Sequence, residues 1–309
     1  MDAYYISVAS NMGMIAFIAL SAYLLLIVGE ISFGQQAYFA IGAYASGVAT
    51  ALWGWSFLAG LGAGIVSAAL AAGLVALPTL RLRGLYFSVV TLAFAEMVRL
   101  GFEVFTYQVE IDGELVGPNG SDGFRDIRYV YERDVSDVEY MLWIYGLLVL
   151  VLAVFFLAER SRFGLVLRMI GEDPLLAEVQ GIRVVRCKFF AVVAAGAIAG
   201  IGGVLYAHLA TYVEPKIFNV MLGVHSLAYG IIGGLGTALG PLLGVFIDIG
   251  LLESIRALSG YRMIVFGALV ALLLVVRPRG LLDERTVYAI TARAQRLWSC
   301  GDATKNAPS

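Results

Sequence analysis

Three ionisable residues stand inside long apolar runs of this sequence, where a charge is costly and is a functional candidate by default. Glu96 and Arg99 are three residues apart, so on a helix they share one face and can form an ion pair. We interpret them as a structural intramembrane pair. Asp248 has no opposite charge within one helical turn and is therefore the candidate for lining a polar cavity.

Two histidines offer the ligand chemistry of a metal site, but their spacing gives it little support. His208 and His225 flank a predicted turn at 211–220, which contains Glu214. Zinc sites use three or four ligands at recognisable spacing, and the sequence has no such pattern. We predict ordinary histidines at the membrane interface and no metal site.

Motifs for nucleotide binding and for common catalytic sites are absent from the sequence. It has no Gly-Lys dipeptide, which excludes the phosphate-binding loop GxxxxGK[ST], and neither HExxH nor GxSxG occurs. Two cysteines exclude a disulfide framework or a Cys₄ metal site, and a net charge of −2 argues against a nucleic-acid partner. The sequence predicts a chain that is not an enzyme and binds no cofactor, so any ATP and Mg²⁺ must be bound by another subunit.

A polar stretch at 159–188 interrupts the apolar chain and contains six cations, Arg160, Arg162, Arg168, Arg183, Arg186 and Lys188. Within it, Asp173 can cap a short helix, Pro174 suits the first helical position, and Gly181 suits the residue that follows the helix. The residues between them give this helix an apolar face with Glu178 at its edge: Leu175, Leu176 and Val179, beside Ala177. The pattern predicts a docking element for a partner. The alternative is a helix lying on the membrane surface, with its arginines held by anionic lipid.

The rest of the chain must position these residues within a bilayer. Hydrophobic residues make up 60% of the sequence and charged residues 14%, and the apolar runs are continuous rather than alternating. We therefore predict an all-α, polytopic transmembrane helical bundle. A span needs about 20 apolar residues, which gives about nine spans (eight to ten): 11–28, 37–53, 57–79, 84–103, 141–157, 188–210, 221–235, 238–256 and 262–276.

The distribution of Arg and Lys predicts the orientation. With nine spans, Arg81 and Arg83, the six cations of 159–188, and Arg277 and Arg279 all fall on one face, which we assign to the cytoplasm. The N-terminus and the acidic loop 104–140 are then outside and the C-terminus is inside. We predict one membrane domain at 1–280 and a cytoplasmic tail at 281–309, with a short interfacial helix around 287–298.

Glycine clusters mark two turnarounds, Gly29–Gly34 and Gly233–Gly240. Glycine permits close helix packing, and it also permits a helix to break where the backbone lines a cavity. We predict a translocation path near these breaks, formed by Gly29, Gly34, Gln35, Gly233, Gly234 and Gly236 with Asp248. The segments 34–44 and 225–235 are also similar to each other, which is consistent with inverted repeats or with chance in a sequence of low diversity.

Five stretches of the chain resemble a known family. They are GEISFGQQAYFAIGAYASG (29–47), LRLRGLYFSVVTLAFAEMVR (80–99), SRFGLVLRMIGEDPLLAEVQGIRVVRCKFFAVVAAGAIAGIGGVLYAH (161–208), IIGGLGTALGPLLG (231–244) and RPRGLL (277–282). Together they resemble permease subunits of branched-chain amino acid ABC importers of the LIV type, and more closely the longer of the two paired permeases. The stretch VGPNGSDGF (116–124) departs from the TGGxxGL pattern of many relatives.

The resemblance implies a transport subunit of the inner membrane of a prokaryote. It implies a second related permease, two cytoplasmic ABC ATPase subunits and an extracytoplasmic solute-binding protein as partners, besides membrane lipid. It also implies that 171–183, with Ala177, Glu178 and Gly181, is the loop that couples the permease to an ATPase. Related permeases handle urea, short amides and other amino acids, so these solutes remain alternatives.

Three other classes of function leave different features unexplained. An ion-coupled secondary transporter would use Asp248 and Glu96 but would have no need of the capped segment 171–181. A membrane-embedded enzyme would need a catalytic cluster, and a receptor or scaffold leaves the docking element without a purpose.

Overall fold

The described chain is a bundle of apolar helices. The computed structural model describes residues 3–82, 84–111, 114–252, 261–277 and 280–282. Its α-helices, in chain order, are α1 Ala3–Ile27, α2 Gln35–Gly47, α3 Phe57–Thr79, α4 Leu85–Val104, α5 Tyr129–Glu132, α6 Asp137–Arg160, α7 Arg162–Glu172, α8 Pro174–Val179, α9 Val184–Ala210, α10 Val220–Gly233, α11 Leu239–Val245 and α12 Arg262–Val276.

Within the described ranges, five helices are long and apolar enough to cross a membrane, namely α1, α3, α4, α6 and α9. The other four predicted spans coincide with shorter segments. Helix α2 continues as a π-helix at Val48–Leu52, α11 continues as a π-helix at Phe246–Leu252, and α10 and α12 have 14 and 15 residues. The helical membrane bundle is confirmed, whereas the count of nine spans stays a prediction.

Helix α9 forms the centre of the bundle and packs against α1, α2 and α3. Its contacts with α2 and α3 are made by small residues. A Cβ added at Gly42 of α2 would lie 2.5 Å from the carbonyl oxygen of Gly200, and one added at Gly200 would lie 2.7 Å from the Cβ of Ala68 in α3. Lipid does not drive apolar helices together as water does, so close backbone approach supplies the packing energy.

One small β-sheet interrupts the all-helical pattern, in the loop predicted to be outside. Strands β1 Val109–Ile111, β2 Glu114–Pro118 and β3 Phe124–Arg125 form an antiparallel sheet in the order β1-β2-β3. Phe124 also exchanges two backbone hydrogen bonds with Val213, at 2.8 and 2.9 Å. This sheet was not predicted from the sequence, because strands of two to five residues carry no readable periodicity.

His208 is buried rather than interfacial, whereas His225 is half-buried. His208 is fully buried in α9, where its Nε2 lies 3.1 Å from the Thr50 hydroxyl and its Nδ1 lies 2.9 Å from the Val204 carbonyl oxygen. The ring of His225 packs beside those of Tyr229 and Phe266. Across the part of the chain that the structure describes, no group of three His, Cys, Asp or Glu residues could hold a metal ion.

The two segments compared as repeats do not occupy equivalent places. Residues 34–44 begin a helix directly after a glycine break, whereas residues 225–235 end a helix directly before one. The similarity between their sequences therefore does not reflect a matching position in the fold.

Residues 281 and 282 belong to the body of the bundle rather than to a separate tail. The amides of Leu281 and Leu282 donate to the carbonyl oxygens of Ile232 and Gly233, at 3.0 and 2.8 Å. The predicted interfacial helix around 287–298 lies outside the described residues.

Candidate coupling site

Helix α8 has the capping that its sequence predicts. The Asp173 carboxylate accepts hydrogen bonds from the amides of Leu175 and Leu176, at 2.9 and 3.1 Å, which satisfies two of the free N–H groups at the helix start. Pro174 occupies the first turn. Gly181 follows the helix with φ +83°, a left-handed conformation that other residues adopt only with strain.

The apolar side chains of α8 point away from the rest of the chain. Leu175 is 61% exposed, Leu176 51% and Val179 85%, whereas Ala177 is fully buried against the body of the protein. Ala177 therefore fixes the helix in place, and the other three form a free apolar surface. We call Leu175, Leu176 and Val179 the docking face.

Helix α7 carries α8 and rests on the first glycine break. A Cβ added at Gly29 would lie 3.0 Å from the carbonyl oxygen of Gly171, and a Cβ at Gly171 would overlap the carbonyl of Ile27. The two backbones therefore touch without intervening side chains.

A second connection joins this region to the other glycine break. Glu159, at the end of α6, accepts a hydrogen bond from the Tyr23 hydroxyl at 2.7 Å and one from the Ala238 amide at 3.0 Å. Arg168 of α7 lies 3.7 Å from the same carboxylate oxygen and donates to the Gly236 carbonyl oxygen at 2.9 Å. We call Tyr23, Glu159 and Arg168, with the backbone of 235–238, the junction network.

A third contact, an ion pair, joins the polar segment to the first glycine break. Lys188, in the second turn of α9, forms an ion pair with Glu30 at 2.5 Å, and both side chains are largely buried. Glu30 follows α1 directly within the first glycine break. The polar segment 159–188 is thus tied to both breaks by three contacts.

The glycines of the predicted path have close backbone contacts of their own. A Cβ at Gly233 would overlap the backbone of Gly240, and one at Gly280 would overlap the backbone of Gly234. Gly236 donates its amide to the Leu282 carbonyl oxygen at 3.1 Å. Tight packing therefore accounts for these positions, and a role in a solute path stays a prediction.

Gln35 is the residue of the predicted path that packing does not explain. Its side chain is fully buried at the start of α2, and neither its amide oxygen nor its nitrogen has a hydrogen-bond partner in the described chain. The amide oxygen of Gln36, which lies beside Gly223 of α10, is also buried without a hydrogen-bond partner in the described chain. Unpaired buried amides are costly, so these two residues, which directly follow Gly34, form a polar point inside an apolar bundle.

The intramembrane charges have partners. Arg99 donates its Nε to Glu96 at 2.9 Å and also pairs with Glu103, one turn further along α4. Asp248, for which the sequence suggested no neighbour, accepts a hydrogen bond from the Tyr229 hydroxyl of α10 at 2.7 Å and is buried. The bond joins α10 to the π-helical segment, so Asp248 is part of a packed contact between these elements.

Comparison with known proteins places these features in a family. The profile of a family described as the branched-chain amino acid transport system permease component matches residues 4–276. The LivM permease proteins for high-affinity branched-chain amino acid transport of Salmonella typhimurium and Escherichia coli are 30% and 29% identical over 279 and 278 residues, covering 82% of this chain and 64% of each relative. A probable branched-chain amino acid permease, LivH of Methanocaldococcus jannaschii, is 28% identical over 42% of each chain.

No solved structure matches the chain. The chain spans 64% of the length of the two LivM proteins that it matches. The family profile nevertheless covers nearly all of the described bundle, including the docking face, the junction network and both glycine breaks. The chain therefore belongs to the permease component family of branched-chain amino acid transport systems.

Proposed function

We propose that this chain is a permease subunit of an ATP-driven ABC importer that moves branched-chain amino acids across the cytoplasmic membrane of a prokaryote. A single observation carries the proposal: a capped helix presents three exposed apolar side chains at the end of a polar segment that is bonded to both helix breaks. Such a helix fits the groove of a cytoplasmic ATPase subunit. ATP hydrolysis takes place in that partner, and this chain supplies the path.

The assembly that we propose has five parts. Two related permeases form the membrane body, two ABC ATPase subunits bind ATP and Mg²⁺, and an extracytoplasmic binding protein delivers the solute. The arginine-rich segment 159–188 faces the ATPases, so the loop 104–140 faces the binding protein and the N-terminus is outside. The names of the LivM and LivH relatives, which are permeases for branched-chain amino acids, support this class of solute.

Energy coupling then follows the contacts of the candidate site. Movement of an ATPase displaces α8 through the docking face, and α7 carries the displacement to Gly29 and, through Arg168, to Gly236. Both glycine breaks shift relative to α9. The solute path opens beside the start of α2, where the unpaired amide of Gln35 offers hydrogen bonds to the passing amino acid.

The proposal is tested with the docking face. A complex purified through a tagged chain is reconstituted in proteoliposomes, and uptake of labelled leucine is measured with ATP inside. We expect Leu176→Asp to leave the chain in the membrane but to remove ATPase copurification and uptake together. Fully burying a leucine contributes about 1.5–3 kcal/mol, and a loss of that size weakens docking by roughly tenfold or more.

The matched control is Gln180→Asp, which adds the same charge beside the docking face without removing an apolar contact. Uptake that persists in Leu176→Asp would show that α8 is not the coupling element. Uptake driven by an ion gradient in the absence of ATP would instead identify a secondary transporter, and uptake of urea or a short amide in preference to leucine would change the solute.

A further inference from the structure

A groove opens where α3 ends and α9 begins, at the same end of the bundle as the docking face. Its volume is about 520 Å³, within the range of roughly 300–1,000 Å³ that is usual for ligand pockets. The walls are apolar: Leu77 and Leu80 come from the end of α3, and Phe189 and Phe190 come from the first two turns of α9. Leu77 and Phe190 are each more than 60% exposed.

The groove follows from how the two helices pack. In the middle of the bundle, α3 and α9 meet through small residues, such as Ala68 against Gly200. Towards the end of α3 the small residues give way to large ones. A Cβ at Gly73 would already lie 3.7 Å from the ring of Phe189, and beyond it Leu77, Leu80 and Phe190 line the groove. The gap is therefore built into the sequence.

Two arginines stand at the mouth of the groove, one on each wall. Arg81 follows the end of α3, and Arg186 lies in the first turn of α9. Both are exposed, and neither forms an ion pair with any residue that the structure describes. Glu30 and Glu159 have other partners, namely Lys188 and Tyr23.

We propose that this groove is a binding site for one anionic phospholipid. The two arginines bind the phosphate of the headgroup, and the apolar walls hold the upper part of the acyl chains. The position fits this occupant because the arginines lie at the ends of two helices that are long and apolar enough to cross a membrane, next to the apolar walls. A protein partner would need acidic groups matched to both arginines.

The lipid also has a consequence for the fold. It bridges the end of α3 to the start of α9, and α9 leads back into the segment that carries α8. Its occupancy would therefore hold the helix ends together at the base of the candidate coupling site. This inference stands independently of the proposed transport function, because it depends only on the groove and its charges.

The test is native mass spectrometry of the purified full-length chain with phosphatidylglycerol and phosphatidylcholine. We expect one retained phosphatidylglycerol molecule at concentrations where phosphatidylcholine is lost. Arg81→Gln with Arg186→Gln should weaken retention roughly 25-fold, about fivefold for each arginine near the membrane surface. The matched control is Arg160→Gln with Arg162→Gln, which removes the same charge from exposed arginines outside the groove.

Three outcomes would overturn the proposal. The first is equal retention of both lipids, and the second is an equal loss in the control pair, which would indicate general surface attraction. The third is crosslinking of Phe190→Cys to another polypeptide in the purified complex, which would identify a protein occupant. Phe190→Ala provides a further check, because it should lower the retention of phosphatidylglycerol while leaving the preference over phosphatidylcholine intact.

Discussion

Replacing Glu159 by alanine should destabilise the bundle strongly, because one carboxylate oxygen holds three groups of the junction network. Tyr23 is fully buried, so its hydroxyl, which now donates at 2.7 Å, would lose its acceptor. The Ala238 amide would lose its acceptor as well. Each hydrogen bond to a charged group contributes about 1.5–3 kcal/mol, so the two together amount to roughly 3–6 kcal/mol.

The assay is thermal unfolding of the purified chain in detergent. Using the dependence seen in domains of 150–250 residues, roughly 2–4 °C for each kcal/mol, we expect a melting temperature lower by about 6–24 °C. Glu159→Gln is the matched control, since it keeps an acceptor oxygen for Tyr23 and Ala238 and removes only the charge. It should lose less than half as much. A melting temperature of Glu159→Ala within 2 °C of the parent, a threshold set at roughly one kcal/mol, would refute the network.

Three further predictions concern the coupling region and its orientation. Gly181→Val should reduce ATPase-coupled uptake, because a left-handed residue other than glycine costs about 1–2 kcal/mol. Gly181→Asn should keep the uptake, because asparagine tolerates this conformation. Equal uptake in both variants would show that φ +83° is not required. Lys188→Met should destabilise the chain by about 3–5 kcal/mol, because it leaves Glu30 buried and unpaired. Adding Glu30→Gln should recover most of this loss. Thermal unfolding measures both variants, and a double variant without recovery would contradict the pairing. In a background without native cysteines, an impermeant thiol reagent applied to intact cells should label Asp122→Cys and leave Glu178→Cys unlabelled, and the reverse pattern would invert the proposed orientation.

Helix α8 could be predicted from the sequence because its signals are local. Asp173, Pro174 and Gly181 act on backbone groups within a few residues of themselves, and the apolar spacing needs only one turn to be recognised. The structure has the same cap and the same stop. The burial of Ala177 could not be predicted, because it depends on how α8 is set against the bundle.

The junction network could not be predicted, since its members are far apart in the chain. Tyr23 and Glu159 are separated by 136 residues, and in the sequence Arg168 counted only towards the charge bias of its segment. The hydrogen-bond partner of Asp248 could not be predicted for the same reason. Its partner, Tyr229, is 19 residues away on another helix, so a search along one helical turn found no neighbour.

The seam of small residues along α9 has a consequence for how the chain is made. Helix α2 carries Gln35 and Gln36 and packs most extensively on α9, whose Gly200 lies 158 positions after Gly42. At a synthesis rate of about 5–20 residues per second, α2 must wait roughly 8–30 s before its partner has been made. During that interval its polar side chains face lipid, the translocon or an insertion chaperone. The first half of this protein should therefore depend on such a holding factor during biogenesis, and release from it should coincide with the emergence of α9.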